Sequence, residues 1–167
     1  MEEKELLLTI AQTALGIAGF SGVMSAFMKR PGKLTSVETY RVGVLLGISF
    51  SAMFLAFLPL VLDALGSAAP RLWAGASAAM AAFSIAALTV FLLASWRISR
   101  HAPEIFNPWV IGATALGHLA NVVLQLVNAT DAGGVPAPGI YVTGLLWYLF
   151  HAALQFSRML FIQPADR

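Results

Sequence analysis

Five long apolar stretches constrain the fold of this chain more than any other feature of its sequence. They are Leu6–Met28, Val42–Leu62, Leu72–Trp96, Ile105–Asn128 and Ile140–Ile162. Each has about 20 residues or more, the length that an α-helix needs to cross the roughly 30 Å hydrocarbon core of a bilayer. The strands of a membrane β-barrel would be about 10 residues long and would alternate in polarity. The stretches therefore predict an all-α integral membrane protein with five transmembrane helices.

The composition of the chain agrees with a lipid environment. Hydrophobic residues make up 59% of the 167 residues and charged residues only 11%, whereas about 25% of the residues in a soluble domain are charged. The loops between the stretches are short, so we expect one transmembrane domain over residues 1–167, with the lipid bilayer as a partner. The sequence has no cysteine, which excludes disulfides, thiol catalysis and cysteine-bound metals.

The basic residues are divided unevenly between the two predicted sides of the membrane. Only Lys4 and Arg71 fall on one side. The other side holds Lys29, Arg30, Lys33, Arg41, Arg97, Arg100, Arg158 and Arg167. By the positive-inside rule, we expect a multi-pass protein of a bacterial inner (plasma) membrane, with its N-terminus outside and its C-terminus in the cytoplasm. The basic charge then reflects orientation and contact with lipid, and not nucleic-acid binding.

Small residues recur in the first three stretches at spacings that let helices approach closely. The third stretch is the richest in alanine, so we expect it to lie centrally or at a contact between subunits. These faces predict a homo-oligomer. The residues that we assign to helix packing in the first two stretches are Gly16, Gly19, Gly22, Gly43, Gly47 and Ser51.

Aromatic residues and one proline mark the ends of several stretches. Trp73, Trp96, Trp109 and Tyr141 lie near predicted span ends, which is typical of residues that anchor a helix at the membrane surface. Pro59 lies near the end of the second stretch. It predicts a kink or the end of that helix, because proline lacks the backbone N–H of a helical hydrogen bond.

Two rows of polar side chains interrupt the fourth and fifth stretches. Both rows step by three, four and three residues, so each row lies on one face of a helix. The first consists of His118, Asn121, Gln125 and Asn128, and the second of Tyr148, His151, Gln155 and Arg158. Polar groups inside a membrane are costly and rarely face lipid. The rows therefore predict buried seams, except that Arg158 lies close enough to the helix end to reach the membrane surface.

Depth along the helices brings several of these side chains to a common level. At a rise of about 1.5 Å per residue, His118 and His151 lie at one depth, and Asn121, Tyr148 and Gln12 lie together at another. The short Ala129–Gly139 connection favours an antiparallel hairpin of the fourth and fifth helices, so their polar rows are expected to meet. We thus expect one intramembrane cluster built from three helices.

Three functions are open to such a cluster. A channel-like or transport-related protein could pass an ion, a proton or a small polar solute along the seam, without a cofactor. Its lining would be Gln12, His118, Asn121, Gln125, Tyr148, His151 and Gln155, with Glu5 and Asn128 at the outer mouth. A membrane cytochrome could use His118 and His151 as axial ligands of haem b. In a structural or partner-binding membrane protein, the same groups would only hold helices together.

Enzymatic chemistry has little support in the sequence. No predicted span contains a paired carboxylate, and the chain has no His-Glu-x-x-His motif of a zinc enzyme. No serine in a span lies in a recognisable nucleophile motif. The sequence therefore favours transport, haem binding or a structural role over catalysis.

Overall fold

The described part of the chain is all-helical. The computed structural model describes residues 3–27, 36–100, 107–130, 134 and 136–161. Its helices are α1 (Glu3–Phe27), α2 (Ser36–Ala64), α3 (Ala69–Ser99), α4 (Pro108–Ala129) and α5 (Pro138–Phe161). The prediction of an all-α fold is confirmed for these residues. The predicted span ends at Met28, Ile105 and Ile162 lie outside them, as do Lys29, Arg30, Lys33 and Arg167.

Four of the helices are long and apolar enough to cross a membrane. These are α1, α2, α3 and α4, and they identify a multi-pass membrane protein. Helix α5 has 24 residues but is not among the four, since its row of Tyr148, His151, Gln155 and Arg158 lowers its hydropathy.

Local sequence explains where the helices begin and end. The Asn107 side chain accepts a hydrogen bond of 2.9 Å from the Trp109 N–H at the start of α4, as an N-cap does. Helix α2 ends in a Schellman motif. There Gly66 has φ +79, its N–H donates to the Asp63 carbonyl oxygen, and the Ser67 N–H donates to that of Leu62. The tight turn leads directly into α3.

Helix α5 lies at the centre of the bundle. Neighbours along the chain, α1 with α2, α2 with α3 and α3 with α4, are in contact, and α5 contacts each of the other four. The central helix is thus α5. Helix α3, which we expected to lie centrally or at a contact between subunits, contacts α2, α4 and α5. From α5, the side chains of Tyr141, Leu145, Tyr148 and Ala152 are fully buried. Tyr141, Leu145 and Tyr148 lie in one core cluster with residues of α1, α2 and α3.

The glycines predicted to pack helices lie on outward faces instead. A Cβ built on Gly16, Gly19, Gly22, Gly43 or Gly47 would meet no atom within 4 Å. The Ser51 hydroxyl donates to the Gly47 carbonyl oxygen of its own helix. Glycine spacing predicts that two helices can approach closely, but it does not say whether the second helix belongs to the same chain.

Close packing depends on two other glycines, Gly117 in α4 and Gly144 in α5. A Cβ on Gly117 would overlap the indole ring of Trp147. A Cβ on Gly144 would lie 2.5 Å from Gln125 Nε2 and 2.6 Å from both Asn121 Oδ1 and Met80 Sδ. The absence of a side chain at these two positions lets α4 and α5 approach with their polar rows between them.

A hydrogen bond from Tyr141 of α5 reaches α2 where Pro59 interrupts the hydrogen bonds of that helix. Proline lacks an N–H, so the carbonyl oxygen four residues earlier, that of Leu55, loses its helical partner. The Tyr141 hydroxyl donates to this oxygen at 2.6 Å. Tyr141 is 0% exposed and packs on the buried Trp73. Trp73 and Tyr141, which we expected to anchor the membrane surface, are therefore packed inside the bundle, whereas Trp96 and Trp109 are exposed.

Candidate functional site

The two predicted polar rows face each other across α4 and α5, and they meet at a pair of histidines. His118 Nε2 lies 2.9 Å from His151 Nδ1, which is hydrogen-bond distance. The imidazole rings are 3% and 2% exposed. Counting residues from the helix ends was sufficient to place them at one depth. The short connection between the helices then explains why they face each other.

The partners of His151 determine which nitrogen carries each proton. The Gln155 side-chain amide nitrogen lies 3.0 Å from His151 Nε2, and an amide N–H can only donate. A neutral His151 therefore accepts at Nε2 and carries its proton on Nδ1, which donates to His118 Nε2. A neutral His118 then carries its proton on Nδ1. The result is a directed chain from Gln155 through His151 to His118.

Aromatic rings enclose the histidine pair. Trp147 and Tyr148 approach His118 edge to face, with ring centroids 5.7 Å and 5.6 Å away. Phe91 approaches His151 in the same way, at 6.1 Å. His118 Nδ1 is buried and has no hydrogen-bond partner in the part of the chain that the structure describes. The chain of hydrogen bonds therefore ends at the His118 Nδ1–H, a donor that a further acceptor could bind.

A second polar cluster lies on the Asn121 side of the histidines, and α3 contributes to it. The Asn121 side-chain N–H donates to Ser84 Oγ at 3.4 Å, and Ser84 Oγ lies 2.8 Å from the Tyr148 hydroxyl. Gln125 donates to Asn121 Oδ1 at 3.3 Å and to the Ile140 carbonyl oxygen at 3.0 Å. Asn121 and Tyr148 thus lie at one depth, as the residue count predicts. Ser84 of α3, which was not predicted, connects them.

Sequence reasoning missed Ser84 and Ser77, which take part in the polar contacts from α3. In an alanine-rich helix a serine resembles one more small packing residue. Their spacing did carry a signal, since positions seven apart lie on one helix face. Both serines are buried, and both bond to side chains of the polar row on α4.

Asn128, predicted at an outer mouth, binds the start of the α5 segment. Its side-chain amide donates to the Ala137 carbonyl oxygen at 3.1 Å and accepts from the Ala137 N–H at 2.8 Å. The same amide donates to Ser77 Oγ at 2.8 Å. These bonds hold α3, α4 and the approach to α5 together. Glu5, the other predicted mouth residue, is exposed on the first turns of α1.

We expect Asn128→Ala to lower the free energy of unfolding by about 1 kcal/mol. The substitution removes bonds to Ser77 and Ala137, but water near this helix end replaces part of them. Unfolding of the purified protein in detergent measures the change. Thr89→Ala, which removes an exposed hydroxyl that bonds only within its own helix, is the comparison and should change the stability little. An equal or larger loss in Thr89→Ala would contradict the assigned role of Asn128.

Gln12 does not join the cluster, although its predicted depth matched. Its side chain is exposed. The inward face of α1 consists of other residues, including Leu7, Ala11 and Ala14. Helix α1 contacts α2 and α5 but, over the described residues, not the α4 helix that carries Asn121. The site is therefore built by α3, α4 and α5, and not by α1.

The geometry of the histidine pair does not fit a haem iron. Metal–imidazole bonds are about 2 Å long, so nitrogens on opposite sides of one iron are about 4 Å apart. His118 Nε2 and His151 Nδ1 are 2.9 Å apart and bonded directly, and His151 Nε2 is bonded to Gln155. In the described ranges, no group of three or more His, Cys, Asp or Glu side chains could hold a metal ion either.

Arg158 lies one helical turn beyond Gln155 and is half-buried. It acts electrostatically on His151 and also on Tyr40 of α2. The polar row of α5 thus continues from the histidine pair to a positive charge at one end of the bundle.

No protein family, curated protein or solved structure matches this chain, so its function must be argued from this geometry.

Proposed function

We propose that this membrane protein transfers protons and that the His118–His151 pair is the relay. The observation that carries the proposal is the direct 2.9 Å hydrogen bond between two buried imidazoles. An imidazole can accept a proton on one nitrogen and release one from the other, and ionisable side chains inside a membrane mark proton relays and ion pathways. Of the solutes considered for the seam, the proton is the one that such a bond can pass.

The closeness of the polar groups argues against a larger solute. Neighbouring side chains in the seam are bonded to one another at 2.8 to 3.4 Å. An ion or a polar molecule would have to separate these groups and replace their bonds. A proton needs only a donor and an acceptor in contact.

The tautomers described above give a balanced transfer step. The neutral ring of His151 accepts at Nε2. A proton arriving from the Arg158 end binds this nitrogen once the Gln155 side-chain amide has turned its N–H away from it. His151 then releases the proton on Nδ1 to His118 Nε2, along the existing hydrogen bond. His118 in turn releases the proton on its Nδ1. Both rings end neutral with their protons exchanged between nitrogens, so each must reset before the next transfer.

Replacing either histidine by glutamine should reduce proton flux about tenfold or more, because an amide keeps a hydrogen bond but does not relay a proton. Proton uptake into liposomes, driven by a potassium diffusion potential and read with a pH-sensitive dye, measures the flux. Gln12→Ala is the matched control, since Gln12 is exposed and outside the cluster.

Two results would contradict this proposal. Flux of the unmodified protein no higher than that of empty liposomes would remove proton transfer as the function. Unchanged flux in both His118→Gln and His151→Gln would remove the pair as the relay. A loss of stability in these variants, together with background flux in the unmodified protein, would instead favour the structural role.

The membrane placement that we propose has five spans, with the N-terminus outside and the C-terminus in the cytoplasm of a bacterial inner membrane. The 24 residues of α5 make a helix of about 36 Å, which exceeds the roughly 30 Å hydrocarbon core. Among the described residues, Arg41, Arg97, Arg100 and Arg158 share the end that the positive-inside rule assigns to the cytoplasm. Introduced cysteines would report this topology by labelling, because the chain has none of its own.

We further propose that copies of the chain associate through the outward glycines of α1 and α2. There is open space at the Cβ positions of Gly16, Gly19, Gly43 and Gly47. A second helix can approach closely at such positions. Cross-linking in membranes tests this proposal. A monomer at all protein-to-lipid ratios would contradict it.

A further inference from the structure

Two arginines from different helices lie near each other at the end of the bundle where α2 begins and α5 ends. Leu45 of α2 packs with Ala152 and Met159 of α5 there. Arg41 and Arg158 lie beside these contacts, both half-buried, and they act electrostatically on each other. Packing of apolar neighbours thus holds two positive charges together at the edge of the membrane.

Positive charge predominates at this end in the part of the chain that the structure describes. Glu38, one helical turn before Arg41, also acts electrostatically on it. Arg97 in the last turn of α3 and Arg100 just after that helix are exposed and add further positive charge. An anion between the two arginines would relieve their repulsion.

The same end also presents hydroxyl groups. The Tyr40 hydroxyl lies 2.6 Å from Ser95 Oγ, which joins α2 to α3. Tyr40 is next to Arg41 in sequence and also interacts electrostatically with Arg158. Just after α3, the Arg100 guanidinium instead stacks over the Trp96 ring at 3.9 Å. Arg41 and Arg158 are therefore the arginines at this end that accompany the Tyr40 hydroxyl.

We propose that Arg41 and Arg158 bind a phosphate group, such as the headgroup of an anionic phospholipid. A guanidinium binds phosphate oxygens through paired, charge-assisted hydrogen bonds. Basic pockets between membrane helices bind anionic headgroups, and these arginines lie where a headgroup is available. This inference concerns a second site and does not depend on proton transfer.

Binding can be tested with the purified full-length chain in nanodiscs of phosphatidylcholine, to which phosphatidylglycerol is added in steps. We expect retention of phosphatidylglycerol in native mass spectrometry, together with a higher thermal midpoint. Each of Arg41→Gln and Arg158→Gln should weaken the apparent affinity about fivefold. Arg71→Gln, an exposed arginine at the other end, should leave it unchanged.

Further variants separate binding from a structural role. Glu38→Gln removes the competing carboxylate and should strengthen binding, which a merely structural arginine pair would not explain. Arg41→Lys and Arg158→Lys keep the charge if the glutamine variants fail to fold, and they should lose part of the affinity because lysine lacks the paired donors. Inorganic phosphate that raised the thermal midpoint equally would identify free phosphate as the ligand. No effect of either ligand on the unmodified protein, or equal weakening by Arg71→Gln, would overturn the proposal.

Discussion

Gly144→Ala is expected to lower the free energy of unfolding by about 1 to 3 kcal/mol. The new methyl group would lie 2.5 Å from Gln125 Nε2 and 2.6 Å from Asn121 Oδ1 and Met80 Sδ. The ends of these side chains could move, but the two amides are already bonded to each other, to Ser84 and to Ile140. Relief of the overlap therefore breaks polar contacts in the centre of the bundle.

Gly112→Ala is the matched control for Gly144→Ala. It makes the same substitution inside α4, at a position where a Cβ meets nothing within 4 Å. Alanine favours a helix over glycine by about 1 kcal/mol, so Gly112→Ala should leave the stability unchanged or raise it. Unfolding of both variants by titration with a denaturing detergent measures the difference. Equal stability of the two variants would show that α4 and α5 do not approach as closely as described.

The two polar rows around Gly144 illustrate what could be predicted from the sequence. Spacing by three and four residues identified the two polar rows, and the rise per residue placed His118 with His151. Both inferences depend only on the regular geometry of a helix. The short link between the helices made them neighbours, and the observed His118–His151 contact agrees. Inferences from helix geometry and loop length therefore transferred well to three dimensions.

Rotation of a helix about its own axis was much harder to predict. In a soluble protein, water selects the polar face, but lipid accepts apolar residues on the outer face as readily as the core does on the inner. Gln12 matched the cluster in depth and yet lies on the exposed side of α1. The outward glycines, such as Gly16 and Gly47, failed as predictors of packing within the chain for the same reason.

Contacts between distant residues were also beyond the sequence. Ser84 joins Asn121 to Tyr148. Its spacing from Ser77 indicates a shared helix face, but it does not distinguish a serine that forms hydrogen bonds from one that is only a small packing residue. Tyr141 lies near a span end, where a membrane anchor is the usual interpretation. Its actual role depends on a carbonyl oxygen freed by a proline 82 positions earlier, at residue 59. A single sequence does not reveal that these two residues meet.

Tyr141→Phe is expected to lower the free energy of unfolding by about 1 to 3 kcal/mol, because it leaves the buried Leu55 carbonyl oxygen without a partner. The loss should depend on Pro59. In Pro59→Ala, the new N–H of residue 59 can donate to the same oxygen within α2. Tyr141→Phe should then cost close to nothing, so the two substitutions should be strongly non-additive in a double-mutant cycle.

Tyr148→Phe is the control for this cycle, since it removes a buried hydroxyl that bonds Ser84 and not a carbonyl of α2. Its effect should add to that of Pro59→Ala within about 0.5 kcal/mol. Additivity of Tyr141→Phe with Pro59→Ala would mean that the hydroxyl does not replace the missing helical bond. Non-additivity confined to Tyr141 would show that the central helix stabilises α2 at the position where proline interrupts its hydrogen bonds, which no contact within α2 could do.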